Sequence, residues 1–428
     1  MSLQTLIPNP VQQNTLTPSE FDQYVVHSYA RFPITLERGQ GCRVWDSEGK
    51  EYLDFVAGIA TCTLGHAHPA MVEAVNQQIQ KLHHVSNLYY IPEQGELAKW
   101  LVQNSCADRA FFCNSGAEAN EAAIKLARKY AHTVLNIENP IILTAQASFH
   151  GRTLATITAT GQPKYQKNFN PLVPGFHYVP YNDLAAIEEA IATLDTPTRQ
   201  VAAILLEGLQ GEGGVRPGDR DYFKRIREIC NEKGILLIMD EVQVGMGRTG
   251  CIWGYENLGI EPDIFTCAKG LGGGIPIGAM LCKSSCDIFE PGDHASTFGG
   301  NPFVCGVALA VCKTLEREHL RLNAQERGEQ LREGLWAIAE DFPHLVKEVR
   351  GWGLISGMEL LADADLTSVE VVKEAIAEGV LLVPAGPKVV RFVPPLIVSE
   401  AEVDIAIQAV RQAITKISEE KGLHSAQM

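Results

Sequence analysis

The chain has 428 residues, a formal net charge of −15, 46% hydrophobic and 20% charged residues. That length predicts two or more domains, and the composition excludes a disordered chain. The acidic balance repels nucleic-acid phosphates and anionic lipid, and no apolar run reaches the roughly 18 residues of a membrane span, so neither is an expected partner.

The first 20 residues lack the basic and apolar regions of a secretory leader and read as a flexible arm. With 11 scattered cysteines and no CxxC pair (Cys282 and Cys286 form only a CxxxC), a reduced, cytoplasmic protein is expected. His66, His68, His83 and His84 have no carboxylate or thiolate at ligand-like spacing, so no metal is expected. Residues 42–55 predict a hairpin turning at Asp46–Gly49. Residues 70–84 place Met71, Val72, Val75, Ile79 and Leu82 on one helical face.

From about 100 to 300, strands alternate with helices. Val201–Leu206 is a continuous apolar run, as in a strand buried on both faces. A helix over Asp221–Lys233 follows, stopped by Gly234, and Ile235–Met239 is the next strand. Strand, helix, strand predicts a right-handed βαβ unit in a mostly parallel sheet, whose ligands sit beyond the carboxyl ends of the strands. After about 320 come a helix (Leu320–Glu340), a strand (Gly353–Leu360), a helix (Ser368–Glu378), further strands and a final helix (Ser399–Glu419). The expected division is an arm at 1–20, a segment 21–70 joining a small domain, a large domain at 71–320, and the α+β small domain at 321–428. The fold class is α/β.

Three predicted strand ends carry polar chemistry. Arg109–Cys113 runs into Asn114-Ser115-Gly116-Ala117-Glu118, where Ser115 and Glu118 form an S-x-x-E capping box. Gly116 admits close backbone approach and the helix start attracts anions, so this is a phosphate seat or simply a helix cap. Ile235–Met239 ends in Asp240-Glu241-Val242-Gln243. Buried acids there need a cation, a metal or a donor; an Asp facing a ring nitrogen keeps it protonated, and a magnesium-binding acid is weakened by the lack of a GxxxxGK[ST] loop. Asp263–Cys267 ends at Ala268-Lys269-Gly270, before three more glycines at 272–274. A crowded lysine is an amine nucleophile toward an aldehyde; a phosphate-binding lysine is the competing explanation.

In this order the motifs resemble the class-III aminotransferases of fold type I, which use pyridoxal 5′-phosphate (PLP), and among them the N-acetylornithine group. The resemblance runs from about Tyr29 to Gln412. It rests on Leu64–Pro69, Asn114–Asn120, Phe149–Thr153, Gln210–Gly214, Asp240–Gly250, Ser296–Pro302 and Val390–Pro395. It implies a large domain around a mostly parallel, seven-stranded sheet and a small domain built from both chain ends.

Residue by residue, the resemblance implies that Lys269 bonds covalently to the PLP aldehyde and that Asp240 pairs with the ring nitrogen. Gln243 hydrogen-bonds near the ring hydroxyl, Val242 contacts the cofactor, and Phe149 stacks on its face. Ser115, Gly116 and Ala117 hold the phosphate, and Thr297 reaches the phosphate of a neighbouring subunit's cofactor, which implies a homodimer with shared sites. Arg152 and Arg391 bind substrate carboxylates, and Glu212 masks Arg391 when the donor lacks an extra carboxylate. Tyr29, Ile59 and Ser296 contact the donor. Ile59 cannot hydrogen-bond a free ammonium, which suits an N-acylated donor, although 4-aminobutyrate enzymes share an Ile there. The implied reaction takes nitrogen from N-acetylornithine to 2-oxoglutarate; ornithine, succinylornithine, N-succinyl-diaminopimelate and 4-aminobutyrate are the alternative donors. A non-catalytic binding protein of this fold would not require Lys269, Asp240 and Arg152 together. One departure stands out: relatives read Glu-Pro-x-Gln-Gly-Glu where this chain has Glu207-Gly208-Leu209-Gln210-Gly211-Glu212, and Gly208 leaves the aim of Glu212 open.

Overall fold

The computed structural model describes residues 16–423. Seven strands form its central sheet in the spatial order 109–113, 278–282, 264–267, 236–240, 199–207, 139–145 and 176–179. The 278–282 strand runs antiparallel to both neighbours; all other pairs are parallel. Side chains alternate between the faces of a strand, and here both faces are covered. Ile204, Leu206, Leu237 and Met239 join one core with residues of helices 92–103, 184–194, 220–233 and 302–317. Ala203, Leu205, Leu236 and Ile238 join another with the 116–133 helix. Burial of each large aliphatic chain stabilises the fold by roughly 1.5–3 kcal/mol, which is why these runs carry no polar interruption before their carboxyl ends.

The expected βαβ unit is present with its helix at Arg220–Lys233. Asp219 accepts the Tyr222 N–H at 2.8 Å and Gly234, at φ +71°, stops the helix. Tyr222, Phe223, Ile226, Ile229 and Cys230 are its buried face, as the periodicity predicts.

A second core gathers both chain ends. The 43–46/51–54 hairpin is antiparallel, and its second strand pairs in parallel with Val380–Leu381. Strands 346–352, 355–360, 389–392 and 383–384 form an antiparallel sheet. Helices 320–341, 368–377 and 400–421 pack with them around residues such as Leu331, Met358, Val371 and Val410. The 346–352 strand escaped the sequence reading because Lys347, Glu348 and Arg350 break its apolar pattern; the structure buries Arg350 with each guanidinium nitrogen hydrogen-bonded.

Two expectations need correction. Residues 1–15 of the expected arm lie outside the described residues, but its end is not loose: Thr17 and Glu20 close a capping box and start a helix over Pro18–Tyr24. The 69–81 helix forms, yet Val72, Ile79 and Leu82 on its apolar face are exposed, while Gln78 is buried and donates to the Leu82 carbonyl at 2.8 Å. Periodicity finds an apolar face; it does not say what covers it. Among the described residues no helix is long and apolar enough to cross a membrane.

Candidate active site

The carboxyl ends of the central strands open into one cavity of about 430 Å³. Ser115, Gly116, Ala117, Phe149, Arg152, Glu207, Glu212, Asp240, Val242, Gln243 and Lys269 all line it. Residues spread over 155 positions (115 to 269) thus converge because parallel strands all end on the same side.

At the start of the 116–133 helix, the Ser115 hydroxyl accepts the Glu118 N–H at 3.2 Å. The expected capping box is offset, however: Glu118 turns back to the N–H of Asn114 at 2.5 Å, not to that of Ser115. Gly116 is a requirement of space. A Cβ there would lie 2.6 Å from a Val242 methyl carbon, so helix start and Asp240 turn are fitted to each other. The first-turn N–H groups have no partner within the helix and favour an anion.

Asp240 is held by three donors. One carboxylate oxygen accepts Asn120 Nδ2 and His150 Nδ1, each at 2.8 Å, and the other accepts the Val242 N–H at 3.0 Å. Asn120 is itself oriented by Thr266, whose hydroxyl donates to Asn120 Oδ1 at 2.8 Å. Asn120 and His150 fall inside motifs legible in the sequence, but nothing in their spacing says that they converge on Asp240.

Glu241, the next residue, turns the other way and caps the 254–258 helical turn by accepting the Gly254 and Tyr255 N–H groups. Burial pushes its carboxyl up to about 8, against the pull of those donors. Its folded value lies above its ordinary value of 4.5, so its stabilising proton uptake is whole below about 4.5 and is lost as pH rises through 8. The expected result is a melting-temperature advantage of wild type over Glu241→Gln that shrinks between pH 5.5 and 8.5. A gap constant over that range in thermal melts would rule it out.

Lys269 follows a buried strand at φ +41°, and its side-chain amine makes no hydrogen bond among the described residues. Burial lowers the basicity of its amine; the Glu212 carboxylate opposes this and the Arg391 guanidinium adds to it, leaving the amine below its usual range. Glu207 was quoted in the sequence only as part of a motif, yet it lines the same cavity. It accepts the Phe149 N–H at 3.0 Å and the Gly211 N–H at 3.3 Å. Burial and the Asp240 charge raise it well above the carboxylate range.

The two arginines differ. Arg391 is buried, and its Nη1 donates to Glu212 at 2.5 Å and to Gln243 Oε1 at 2.9 Å. Burial disfavours the Glu212 carboxylate, but Arg391 and Lys269 outweigh that and hold it below the ordinary range. Gln243 is therefore bound into this pair, a link the sequence did not reveal. Arg152 pairs with no carboxylate among the described residues; its guanidinium stacks 3.8 Å from the Tyr165 ring centroid and 5.3 Å from that of Phe149. One guanidinium is masked and one is free. The pair forms despite Gly208, whose carbonyl is held by the Gly218 N–H at 2.9 Å and the Tyr181 hydroxyl at 3.1 Å. Beyond Glu212 the turn is strained: Gly214 has φ +103° and Val215, β-branched and buried, has φ +51°. Such a conformation costs about 1–3 kcal/mol and persists only where the surroundings impose it.

The structure does not bring every expected residue to this cavity. Tyr29 is 75% exposed and lines a separate N-terminal groove, where Arg31 lies 5.6 Å from its ring centroid. Ser296 and Thr297 line a second concavity, which shares Asn114 with the first; Asn114 Nδ2 donates to Ser296 Oγ at 3.1 Å. Ile59 sits in a left-handed turn over Ala57–Ala60, next to the cavity-lining Thr61. Among the described residues no three His, Cys, Asp or Glu groups are placed to hold a metal ion.

A cavity with a free amine, a triply hydrogen-bonded carboxylate, a stacking Phe and a helix start fits PLP: an amine for its aldehyde, an acid for its ring nitrogen and N–H donors for its phosphate. Fold and site thus define a PLP-dependent enzyme of fold type I. The class-III aminotransferase model matches residues 24–414, and the chain belongs to that family. It is 71% identical over 426 residues to the acetylornithine aminotransferase of a Nostoc species, covering 98% of this chain and 100% of that protein. The crystal structure of N-acetylornithine aminotransferase from Stenotrophomonas maltophilia matches with a TM-score of 0.80 at 39% identity, over 92% of this chain and 98% of that one. An ornithine aminotransferase structure from Toxoplasma gondii, with partial PLP occupancy at its active site, matches with a TM-score of 0.90 at 34% identity, over 96% and 97% of the two chains.

Proposed function

We propose that this aminotransferase moves the 5-amino group of N-acetylornithine to 2-oxoglutarate, giving N-acetylglutamate 5-semialdehyde and glutamate in arginine biosynthesis. The observation that carries the reading is the Arg391–Glu212 contact at 2.5 Å, with Glu212 lining the same cavity as Arg152, which has no carboxylate partner among the described residues. Arg152 takes the donor's carboxylate through two parallel hydrogen bonds. Glu212 neutralises Arg391 while a donor with an uncharged acyl tail is bound, and releases it for the second carboxylate of 2-oxoglutarate. The apolar Ile59 favours that neutral tail over the ammonium of free ornithine.

PLP, when bound, supplies the electron sink for the reaction. Ser115, Gly116 and Ala117 would hold its phosphate, Val242 and Phe149 would contact it, and Asp240 would keep a proton on the ring nitrogen. Gln243 orients Arg391 and Glu212. Lys269 Nζ, its basicity already lowered by burial, would take up the proton that leaves the substrate's amine-bearing carbon. Two half-reactions in one pocket make the kinetics ping-pong.

The working unit is a homodimer with shared sites, in the cytoplasm. Leu88, Tyr89 and Tyr90 are exposed, as are Val72, Ile79 and Leu82 a few residues earlier, apolar surface that suits a second copy. Thr297, in a concavity sharing Asn114 with the main cavity, is the residue offered to the partner's phosphate. Residues 71–320 form the PLP-binding domain, and 21–70 with 321–428 the small one.

A donor panel tests the substrate. kcat/KM for N-acetylornithine is expected to exceed that for ornithine, succinylornithine, N-succinyl-diaminopimelate and 4-aminobutyrate. Arg152→Lys is expected to lower kcat/KM about 10- to 100-fold for donor and 2-oxoglutarate alike, the loss of a charge-assisted hydrogen bond of roughly 1.5–3 kcal/mol. Faster turnover of free ornithine would overturn the choice of donor.

A further inference from the structure

Glu212 and Arg391 come from segments far apart in the chain, so something must set the distance between them. Glu212 stands at the tip of a short hairpin whose strands, 209–210 and 216–217, pair Gln210 with Arg216. Arg391 belongs to the 389–392 strand of the C-terminal sheet. In that sheet Arg350 pairs with Gly357, and Gly357 pairs with Arg391. The three form one row, and residues directly opposite one another point to the same face. Two guanidiniums therefore flank a glycine.

The hairpin tip rests on that row. A Cβ at Gly357 would lie 2.8 Å from the Val215 Cβ, so the missing side chain is the seat for Val215. Arg350 closes the seat: its Nη2 donates to the Gly214 carbonyl at 2.6 Å, and its Nε to the Val215 carbonyl at 2.9 Å and that of Gly214 at 3.2 Å. Its remaining nitrogen, Nη1, donates to Glu348 at 2.9 Å and to Glu359. Glu359 is in turn held by Lys347 at 2.9 Å and, from the hairpin itself, by Arg216 at 3.4 Å. These contacts impose the left-handed backbone of Gly214 and Val215, two and three residues beyond Glu212.

We infer that Arg350 is a positioning residue for substrate discrimination: by clamping the Gly214 and Val215 carbonyls beside the Gly357 seat, it places Glu212 where it masks Arg391. The inference rests on the proposed masking role of Glu212. With the clamp cut, Glu212 drifts from Arg391, the uncovered guanidinium faces the neutral tail of N-acetylornithine, and dicarboxylates gain.

The test compares the two amine donors of the reversible reaction, N-acetylornithine and glutamate, on PLP-loaded enzyme in single-turnover absorbance assays. Arg350→Met is expected to lower the ratio of kcat/KM for N-acetylornithine to that for glutamate at least about tenfold, with glutamate changed less than about threefold. Calorimetric binding of glutarate, a five-carbon dicarboxylate, is expected to tighten about fivefold or more. Gly357→Ala, which lifts the tip without touching a charge, is expected to move both readouts the same way and serves where Arg350→Met yields no holoenzyme. Glu212→Ala separates the two ideas. If it shifts the ratio while Arg350→Met and Gly357→Ala do not, the clamp is wrong and masking stands; if it leaves the ratio alone, masking itself is wrong. Equal losses for both donors in Arg350→Met, with unchanged glutarate binding, would reduce Arg350 to a purely structural role and overturn the inference.

Discussion

Lys269→Ala is expected to lower kcat roughly 10³- to 10⁴-fold or more, because general acid–base transfer alone contributes about 10²–10⁴ and this residue also supplies the nucleophile. The amine reaches the cavity without a hydrogen bond among the described residues, and burial lowers its basicity. Lys269→Arg keeps a cation of similar reach but cannot lose its proton, and it is expected to be as inactive as the alanine variant. Intact mass after borohydride reduction checks the covalent role: wild type should gain the mass of the cofactor and Lys269→Ala should not. Equal labelling of both proteins, or an alanine variant within tenfold of wild-type turnover, would remove Lys269 from the chemistry.

Asp240→Ala should be the next most damaging change, with kcat down roughly 10³-fold, the scale expected for losing a charge aimed at a developing one. It should also be visible without turnover. The substitution strands the Asn120 amide and the His150 imidazole in a buried site, at about 1–3 kcal/mol for each unsatisfied group. Asp240→Asn removes the charge and sets an amide against those same donors, whereas Asp240→Glu retains the charge and should recover part of the activity. A lower melting temperature in the alanine variant with unchanged kcat would show Asp240 to be structural only. An asparagine variant as active as wild type would dismiss the need for charge.

The sequence alone was enough for those features that depend on local pattern. Val201–Leu206 and Ile235–Met239 announce strands covered on both sides, and the polar residues that follow each strand announce the site, because parallel strands must deliver their carboxyl ends to one edge. Lys269, Asp240, Ser115 and Arg152 were legible on that ground or by resemblance, and one cavity gathers them. What lay beyond reach were relations between segments distant in the chain. The 346–352 strand hid behind its charges, since an arginine can be buried when all three guanidinium nitrogens find carbonyls and carboxylates, and those acceptors come from residues 214–215, 348 and 359. The same holds for Glu207: only the fold buries its carboxyl and brings Asp240 close enough to raise it further. Sequence determined which chemistries this chain carries and in what order. Tertiary structure decided which of them face each other, because charge, burial and hydrogen bonding act over a few ångströms of space and not along the chain.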